Sequence, residues 1–234
     1  DLHSFPTRRS SDLRLIISNT IKASLSTNAG SIYSAYFFGN VVASTDRAML
    51  SVYNKQVLDN PTLFNRAFVD LICVSPSAVE LSKVDDVFVA YSELNDFVIK
   101  VCTKSPFDVN EFNMNGVNGM LSMEINSFCR IRKAELLNLL DRMNLFVSKF
   151  DDGAINMKFG TSSVEVSSMS SNGVEEIDYA ESKDAVEFTI KIDINRLIAQ
   201  LKAYSSDMVD LYYGSDKCIR LVDGEVTQMI ALMR

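Results

Sequence analysis

The chain repeats one structural pattern four times, and this repeat limits the possible folds more than any other feature of the sequence. Each copy contains an amphipathic helix, a short polar break, a strand, a tight turn and a second strand. The turns fall at Gly39, Asn95, Gly160 and Gly214, which are 56, 65 and 54 residues apart. This period is too long for a solenoid of helix pairs and suits one helix with three or four strands. We therefore predict an α+β fold of four βαβββ-like units, two in each domain, with the helices on one face of antiparallel sheets.

Apolar spacing and capping residues place one helix in each copy. We predict helices over residues 14–25, 75–84 and 132–147, and a fourth that starts after the N-cap Asp193. The second helix is placed by Ser75 and Pro76, because proline is favoured at the first helical position. The residues expected on the buried faces of helices and strands are Leu15, Ile16, Ile17, Ile21, Leu25, Leu136, Leu137, Leu140, Met143, Val147, Ile155, Met157, Phe159, Val186, Phe188, Ile190, Ile192, Ile194, Leu197, Ile198 and Leu201.

The first thirteen residues differ from the rest of the chain. The segment HSFPTRRSSDL, from His3 to Leu13, looks like one reading frame of a common sequencing adapter. It is polar, has no apolar period and lacks the apolar segment of a secretory signal. We interpret residues 1–13 as a non-native, adapter-like segment, and the alternative is a genuine N-terminal tail.

Histidine and cysteine usage excludes most catalytic chemistry. Without His3 the chain has no histidine, so a Ser-His-Asp or Cys-His mechanism and an imidazole zinc site are excluded. Cys73, Cys102, Cys129 and Cys218 lie in separate apolar runs with no C-x-x-C pair, which predicts buried free thiols rather than a disulfide framework. We therefore predict a cytoplasmic protein with no catalytic residue, metal or cofactor.

The charge distribution indicates a nucleic-acid partner. The net charge is −7, which excludes a uniformly basic protein but not an acidic one with a local basic surface. The predicted helices carry eight basic and three acidic residues, and such a surface can bind phosphates without reading bases. No aromatic residues alternate with these cations, which argues against stacking on single strands. Ordinary solvated helix faces are the alternative. No apolar run approaches the roughly 18 residues of a membrane helix, so no membrane partner is expected.

Three segments resemble one protein family. VVASTDRAMLSVYN, at residues 41–54, is similar to the Thr-Asp-Gly-His-Arg-Leu-Ala segment in the middle domain of the bacterial DNA polymerase III beta sliding clamp. RKAELLNLLDRMNLFVSK is similar to the helix that opens the third domain of that clamp. TIKIDINRLIAQLKAY and the terminal MIALMR resemble its last helix and terminal strand. Their order and spacing cover residues 14–234.

The resemblance implies an architecture and a function. Residues 14–124 would form the middle domain of a clamp and residues 125–234 its C-terminal domain. The function implied is that of a non-catalytic processivity factor, a ring that encircles double-stranded DNA and tethers the replicative polymerase. The clamp loader and other proteins with a clamp-binding motif are further partners. Because the family has three domains per chain and a six-domain ring of two chains, we expect a first domain to be missing here. A natural two-domain clamp that closes as a trimer is the alternative.

The resemblance also implies two sets of site residues. Cations on the helices would face DNA: Arg14, Lys22, Lys83, Arg132, Lys133, Arg142, Arg196 and Lys202. An apolar pocket between the two domains would bind partner peptides: Ile32, Thr45, Arg47, Ala48, Met49, Leu50, Phe107, Phe112, Met229 and Ala231. The sequence departs from the family at two places: the Gly-His-Arg of the family is replaced by Arg47, Ala48 and Met49, and a proline is replaced by Leu232. The sequence therefore does not define the polar contacts of the pocket, but its apolar character is expected to persist. Methionines in the pocket suit varied peptides.

Two other functions are alternatives to the clamp. A metal-dependent nuclease or hydrolase would need converging carboxylates, and the available pairs are Asp85–Asp86, Asp151–Asp152 and Glu175–Glu176. All three fall at predicted breaks, where adjacent side chains point apart. A protein-binding module without a DNA role is the other alternative.

Overall fold

The computed structural model describes residues 3–4, 10–28, 30–75, 79–84, 87–94, 97–147, 152–169 and 173–234. It divides into two compact units, unit 1 over Asp1–Asn118 and unit 2 over Gly119–Arg234. The domain boundary predicted from the sequence lies a few residues further along, after residue 124. No helix in the described ranges is both long and apolar enough to cross a membrane.

Unit 1 contains two helix-and-strand repeats. The first consists of β1 (His3–Ser4), α1 (Ser10–Asn19), a 3-10 turn (Ile21–Ser24), a second 3-10 turn (Ile32–Ser34), β2 (Ala35–Phe38), β3 (Val42–Thr45) and β4 (Met49–Tyr53). The second consists of β5 (Thr62–Asn65), α2 (Arg66–Cys73), β6 (Glu80–Val84), β7 (Val87–Leu94) and β8 (Phe97–Lys104). A 3-10 turn (Val109–Glu111) and α3 (Met114–Leu121) follow, and the division between the units falls within α3.

The strands of unit 1 form antiparallel sheets in the orders β1-β6-β7-β8 and β4-β3-β2-β5. The helices cover a core that centres on Phe64, whose ring centroid lies 5.2, 5.2 and 4.9 Å from those of Phe38, Phe68 and Phe88. Aromatic pairs at these distances contribute beyond the area that they bury.

Unit 2 repeats the same order of elements. Its first half consists of β9 (Ser127–Arg132), α4 (Lys133–Met143), β10 (Ala154–Phe159), β11 (Ser163–Ser168) and β12 (Val174–Asp178). After the short β13 (Glu181–Lys183), its second half consists of β14 (Phe188–Asp193), α5 (Ile194–Ala203), β15 (Met208–Tyr213), β16 (Cys218–Asp223) and β17 (Val226–Ala231).

The strands of unit 2 also form antiparallel sheets, in the orders β12-β11-β10-β14 and β13-β9-β15-β16-β17. Alternation on β10 buries Ile155, Met157 and Phe159 against the helices, as predicted. Phe159 stacks on Tyr213 with ring centroids 4.0 Å apart. Each of the large apolar side chains in this core stabilises the unit by about 1.5–3 kcal/mol relative to an exposed position.

The two units share one pairing scheme. The leading strand of the first repeat pairs with the strand after the second helix, β1 with β6 and β9 with β15. The strand after the first helix pairs with the strand that leads into the second, β2 with β5 and β10 with β14. Each repeat thus supplies a strand that pairs in a sheet with the other repeat of its unit. The predicted α+β fold of βαβββ-like units is confirmed.

The prediction of the second helix was wrong. Residues 80–84 form β6, where Leu81 is buried and Lys83 is exposed, and residues 76–78 lie outside the described residues. The helix of this repeat is α2, and its N-cap Asn65 accepts a hydrogen bond from the Phe68 amide at 2.8 Å. The Ser-Pro signal was outweighed by sheet pairing, because all five residues of ELSKV pair with β7.

Several positions on the other predicted faces also differ. Leu15 and Val186 are exposed, because α1 turns Leu15 outward and β14 begins only at Phe188. On α4, Leu139 is buried although it was not among the predicted residues, while the predicted Leu137 is only partly buried. α1 begins at Ser10, before the predicted residue 14, and Leu13 joins the core of unit 1. The origin of residues 1–13 stays a prediction.

Three of the four predicted turns lie in the described residues. Gly39, Gly160 and Gly214 each separate two paired strands as predicted, and Gly214 has a φ of +108°, which glycine adopts readily. Asn95 lies outside the described residues.

All four cysteines are free thiols. Cys129 and Cys218 are buried, and burial raises the pKa of Cys129 to about 12. Cys102 is exposed, contrary to prediction, because on β8 it alternates with Val101, which packs against the core.

Candidate functional site

The helices of each unit lie together. In unit 1, α1 packs against α2, and in unit 2, α4 packs against α5. Their buried sides fill the core, so their polar sides form the part of each helix pair that a ligand could reach.

In unit 1, Lys22 on the 3-10 turn after α1 and Arg66 on α2 converge on one carboxylate. The Lys22 ammonium lies 2.8 Å from Asp70 of α2, and the Arg66 guanidinium lies 3.6 Å from the same carboxylate. Arg14 on α1 donates to the backbone carbonyl of Ser75. Arg66 was missed by the sequence analysis because α2 was misplaced. The signal that could have found it is Asn65 as N-cap, followed by Phe68, Val69 and Ile72 on one face.

Lys83 does not belong with the other predicted cations. It lies on β6 rather than on a helix, and its ammonium sits 5.4 Å from the centroid of the Phe88 ring. Its predicted place on a DNA-facing helix was therefore wrong, for the same reason that the helix itself was.

In unit 2 three of the predicted arginines pair with carboxylates. Arg142 near the end of α4 donates from Nε to both oxygens of Glu175, at 2.8 and 3.1 Å, and these bonds lower the pKa of Glu175. The ion pairs of the other two link residues three apart in the chain: Arg132–Glu135 at 3.4 Å and Arg196–Asp193 at 3.2 Å.

The two lysines of this helix pair differ. The Lys133 ammonium donates to the carbonyl of Tyr204 at 2.9 Å. Lys202, near the end of α5, is exposed and makes no ion pair with any residue that the structure describes. The most exposed of the predicted cations of unit 2 are thus Arg132, Arg142 and Lys202. The two arginines pair with Glu135 and Glu175, and these carboxylates would compete with phosphates.

The predicted peptide pocket begins at the turn between β3 and β4. The Thr45 hydroxyl donates to the Met49 carbonyl at 2.6 Å and accepts from the Arg47 amide at 3.0 Å. The Asp46 carboxylate accepts from the amides of Ala48 and Met49 at 2.8 and 2.5 Å. These four bonds fix the turn, which places Met49 half-buried and Leu50 buried.

Aromatic rings flank this turn within unit 1. The Arg47 guanidinium lies 4.9 Å from the centroid of the Tyr33 ring, which lies 5.8 Å from Phe112. Phe112 is buried and stacks on Phe37 at 5.3 Å. Tyr33 thus contacts both the Arg47 guanidinium and Phe112, and a peptide pocket formed by these residues stays a prediction.

The remaining pocket residues have separate positions. In unit 1, Ile32 lies on a 3-10 turn and Phe107 is half-buried. In unit 2, Met229 is buried and Ala231 is half-buried, both on β17. That they join the turn in one pocket stays a prediction.

A second groove in unit 1 was not predicted from the sequence. It has a volume of about 490 Å³, and Phe37 and Phe112 contribute apolar surface to it. Its other lining is rich in amides, from Asn40, Asn110, Asn113, Asn115 and Asn118. Four of these asparagines lie within residues 110–118, and only the fold brings Asn40 to them.

Of the carboxylate pairs proposed for the alternative metal-dependent enzyme, Glu175–Glu176 lies wholly within the described residues. Glu175 and Glu176 lie on β12, not at a break as predicted, and Glu175 binds Arg142. Asp85, Asp86 and Asp151 lie outside the described residues. Within the described ranges no three His, Cys, Asp or Glu side chains come together as a metal site would require.

Comparison with solved structures identifies the fold. The DNA polymerase sliding clamp of Bacillus subtilis matches with a TM-score of 0.81 at 13% identity, over 100% of this chain and 64% of that chain. The DNA polymerase III beta subunit of Borrelia burgdorferi, in complex with a natural product, matches with a TM-score of 0.80 at 12% identity, over 100% and 63%. The beta chain of Streptococcus pneumoniae matches with a TM-score of 0.80 at 18% identity, over 96% and 63%.

The chain therefore has the sliding-clamp fold and spans 63% to 64% of the length of these clamps. No protein-family model and no curated protein sequence matches it. At such low identity the likeness establishes the architecture of the chain.

Proposed function

We propose that this chain is part of a DNA sliding clamp, a non-catalytic processivity factor that encircles double-stranded DNA in the cytoplasm and holds the replicative polymerase on it. The observation that carries the proposal is the clamp fold over the whole chain, with a helix pair in each unit that presents cations. The replicative polymerase, the clamp loader and other proteins with clamp-binding motifs are the proposed partners.

The charge placement supports contact with the phosphate backbone rather than with bases. Arg142 and Lys202 are exposed on the helix pair of unit 2, and Arg132 lies at the N-terminus of α4. Contacts of long, exposed cations with phosphates are individually weak and sensitive to salt. Carboxylates beside Lys22, Arg142 and Arg196 weaken them further. Weak, sequence-independent contacts are what a clamp needs if it is to slide.

The ring requires contact between chains, and unit 2 offers an apolar surface for it. Leu145 and Phe146, just after α4, are 82% and 46% exposed, and Val174, at the start of β12, is 56% exposed. The Phe146 ring lies against Gly173, where an added Cβ would come within 2.9 Å of it. β12 is the last strand of its sheet among the described strands of unit 2. Exposed apolar groups beside an unpaired edge favour association with another chain.

A peptide titration tests the proposal. We expect a polymerase-derived peptide with a clamp-binding motif to bind this chain saturably in isothermal titration calorimetry, and Met49→Ala to weaken binding. Met169→Ala, in the other unit, serves as the matched control and is expected to leave the affinity unchanged. Absence of binding to the unchanged chain, or equal loss in both variants, would contradict a clamp-like peptide site at the β3–β4 turn.

A further inference from the structure

The β3–β4 turn holds a positive charge in an unusual backbone position. Arg47 has a φ of +79°, in the left-handed region that residues with a Cβ seldom adopt. The turn is fixed there by the bonds of Thr45 and Asp46 to the backbone of residues 47–49. A strained residue persists only where its surroundings determine its conformation, and such residues cluster at binding sites.

The side chain of Arg47 is oriented as well as its backbone. Its guanidinium lies over the Tyr33 ring, 4.9 Å from the centroid, and Tyr33 in turn contacts Phe112. Stacking on a ring leaves the edge of the guanidinium free to donate hydrogen bonds. The entropy of ordering this long side chain is thus largely lost before any ligand arrives.

Arg47 also differs from the arginines on the helices. Arg132, Arg142 and Arg196 each have a carboxylate within hydrogen-bond or ion-pair distance. Arg47 is exposed and has no such carboxylate in the described part of the chain, because the neighbouring Asp46 accepts from backbone amides. An oriented, uncompensated cation beside the half-buried Met49 is complementary to an acidic group next to an apolar anchor.

We propose that Arg47 selects partner peptides that carry a carboxylate beside their apolar residues. The proposal rests on the peptide-binding function proposed above and adds the chemical class of the ligand. A protein ligand is favoured over DNA because the cation stands among Met49, Tyr33 and Phe112 rather than on a helix pair.

Matched peptides test this selection. The probe is a short peptide with two adjacent large apolar residues and one Glu. The Glu is moved along the peptide in a series, and Gln replaces it in each control. Binding is measured by fluorescence anisotropy at low salt. At one position we expect the Glu peptide to bind about threefold to fivefold more tightly than its Gln control. Arg47→Gln should bring this ratio to one, and Arg47→Lys should keep most of it.

Three results would overturn the proposal: a ratio of one at every position, a ratio unchanged by Arg47→Gln, or a loss of duplex DNA affinity in Arg47→Gln with the peptide ratio intact. Circular dichroism melting shows whether the variants fold, and Arg47→Lys keeps the test valid if Arg47→Gln does not. If no peptide in the series binds the unchanged chain, the peptide-binding function fails with it. Equal binding of Glu and Gln peptides refutes only the selection.

Discussion

Asp193 has two roles that substitution can separate. Its carboxylate accepts hydrogen bonds from the amides of Asn195 and Arg196 at 2.8 and 3.2 Å, which caps α5. The same carboxylate lies 3.2 Å from the guanidinium of Arg196, one of the proposed phosphate contacts. Asparagine keeps the capping oxygen but not the charge, whereas alanine removes both.

The expected stabilities follow from these contacts. Loss of an N-cap costs about 1 kcal/mol of unfolding free energy, and loss of a negative charge at a helix N-terminus costs about 0.5 kcal/mol. Asp193→Ala should therefore lose about 1.5 kcal/mol and Asp193→Asn about 0.5 kcal/mol in urea unfolding. Both variants release Arg196 from its carboxylate. The slope of log affinity for duplex DNA against log salt should steepen by up to about 0.9 in each.

Two kinds of result would refute this reasoning. If Asp193→Asn is as unstable as Asp193→Ala, the cap is not what Asp193 contributes to α5. If the salt dependence of DNA binding is the same in both variants as in the unchanged chain, the carboxylate does not compete with phosphate for Arg196.

Two further predictions concern acid stability and association. Burial opposes ionisation of Asp223, but hydrogen bonds from Ser205 and Ser206 outweigh burial and lower the pKa of this carboxyl. The ionised carboxylate therefore stabilises the fold above its ordinary pKa, and this stabilisation is lost as the pH falls through the folded-state pKa. Asp223→Asn should thus lower the urea midpoint at neutral pH and differ little from the unchanged chain in strong acid, and a constant difference would contradict this. Leu145→Asp should reduce self-association in sedimentation velocity, while Val186→Asp, at another exposed apolar position, should not. If the two variants self-associate to the same extent, the apolar surface of unit 2 does not form the contact between chains.

Much of the fold was predictable because local and tertiary preferences agree in most of the chain. Asp193 caps α5, Ile155, Met157 and Phe159 alternate toward one core, and three turn glycines separate paired strands. Agreement failed near Ser75, where a helix-start signal precedes a segment that pairs as a strand. Pairing of distant strands is decided by the whole sheet, which a local signal does not contain.

The sites were less predictable than the fold. Charge counts identified the cations of α4 and α5, but the partners Glu175 and Asp70 are distant in sequence from Arg142 and Lys22. The sequence therefore overstated the net positive charge available to phosphates. The left-handed conformation of Arg47 depends on hydrogen bonds in the turn, and no feature of composition reveals it.

The most direct test of the proposed function is an NMR titration of the chain with a short DNA duplex at low salt. The account predicts that amide shifts concentrate on α4 and α5, around Arg142, Arg196 and Lys202, with the same pattern for unrelated base sequences. Lys158 provides an internal control, because it is exposed on the opposite face of β10 from the buried Met157. Shifts centred on Lys158, or no shifts on the helices, would contradict the claim that the helix pairs face DNA.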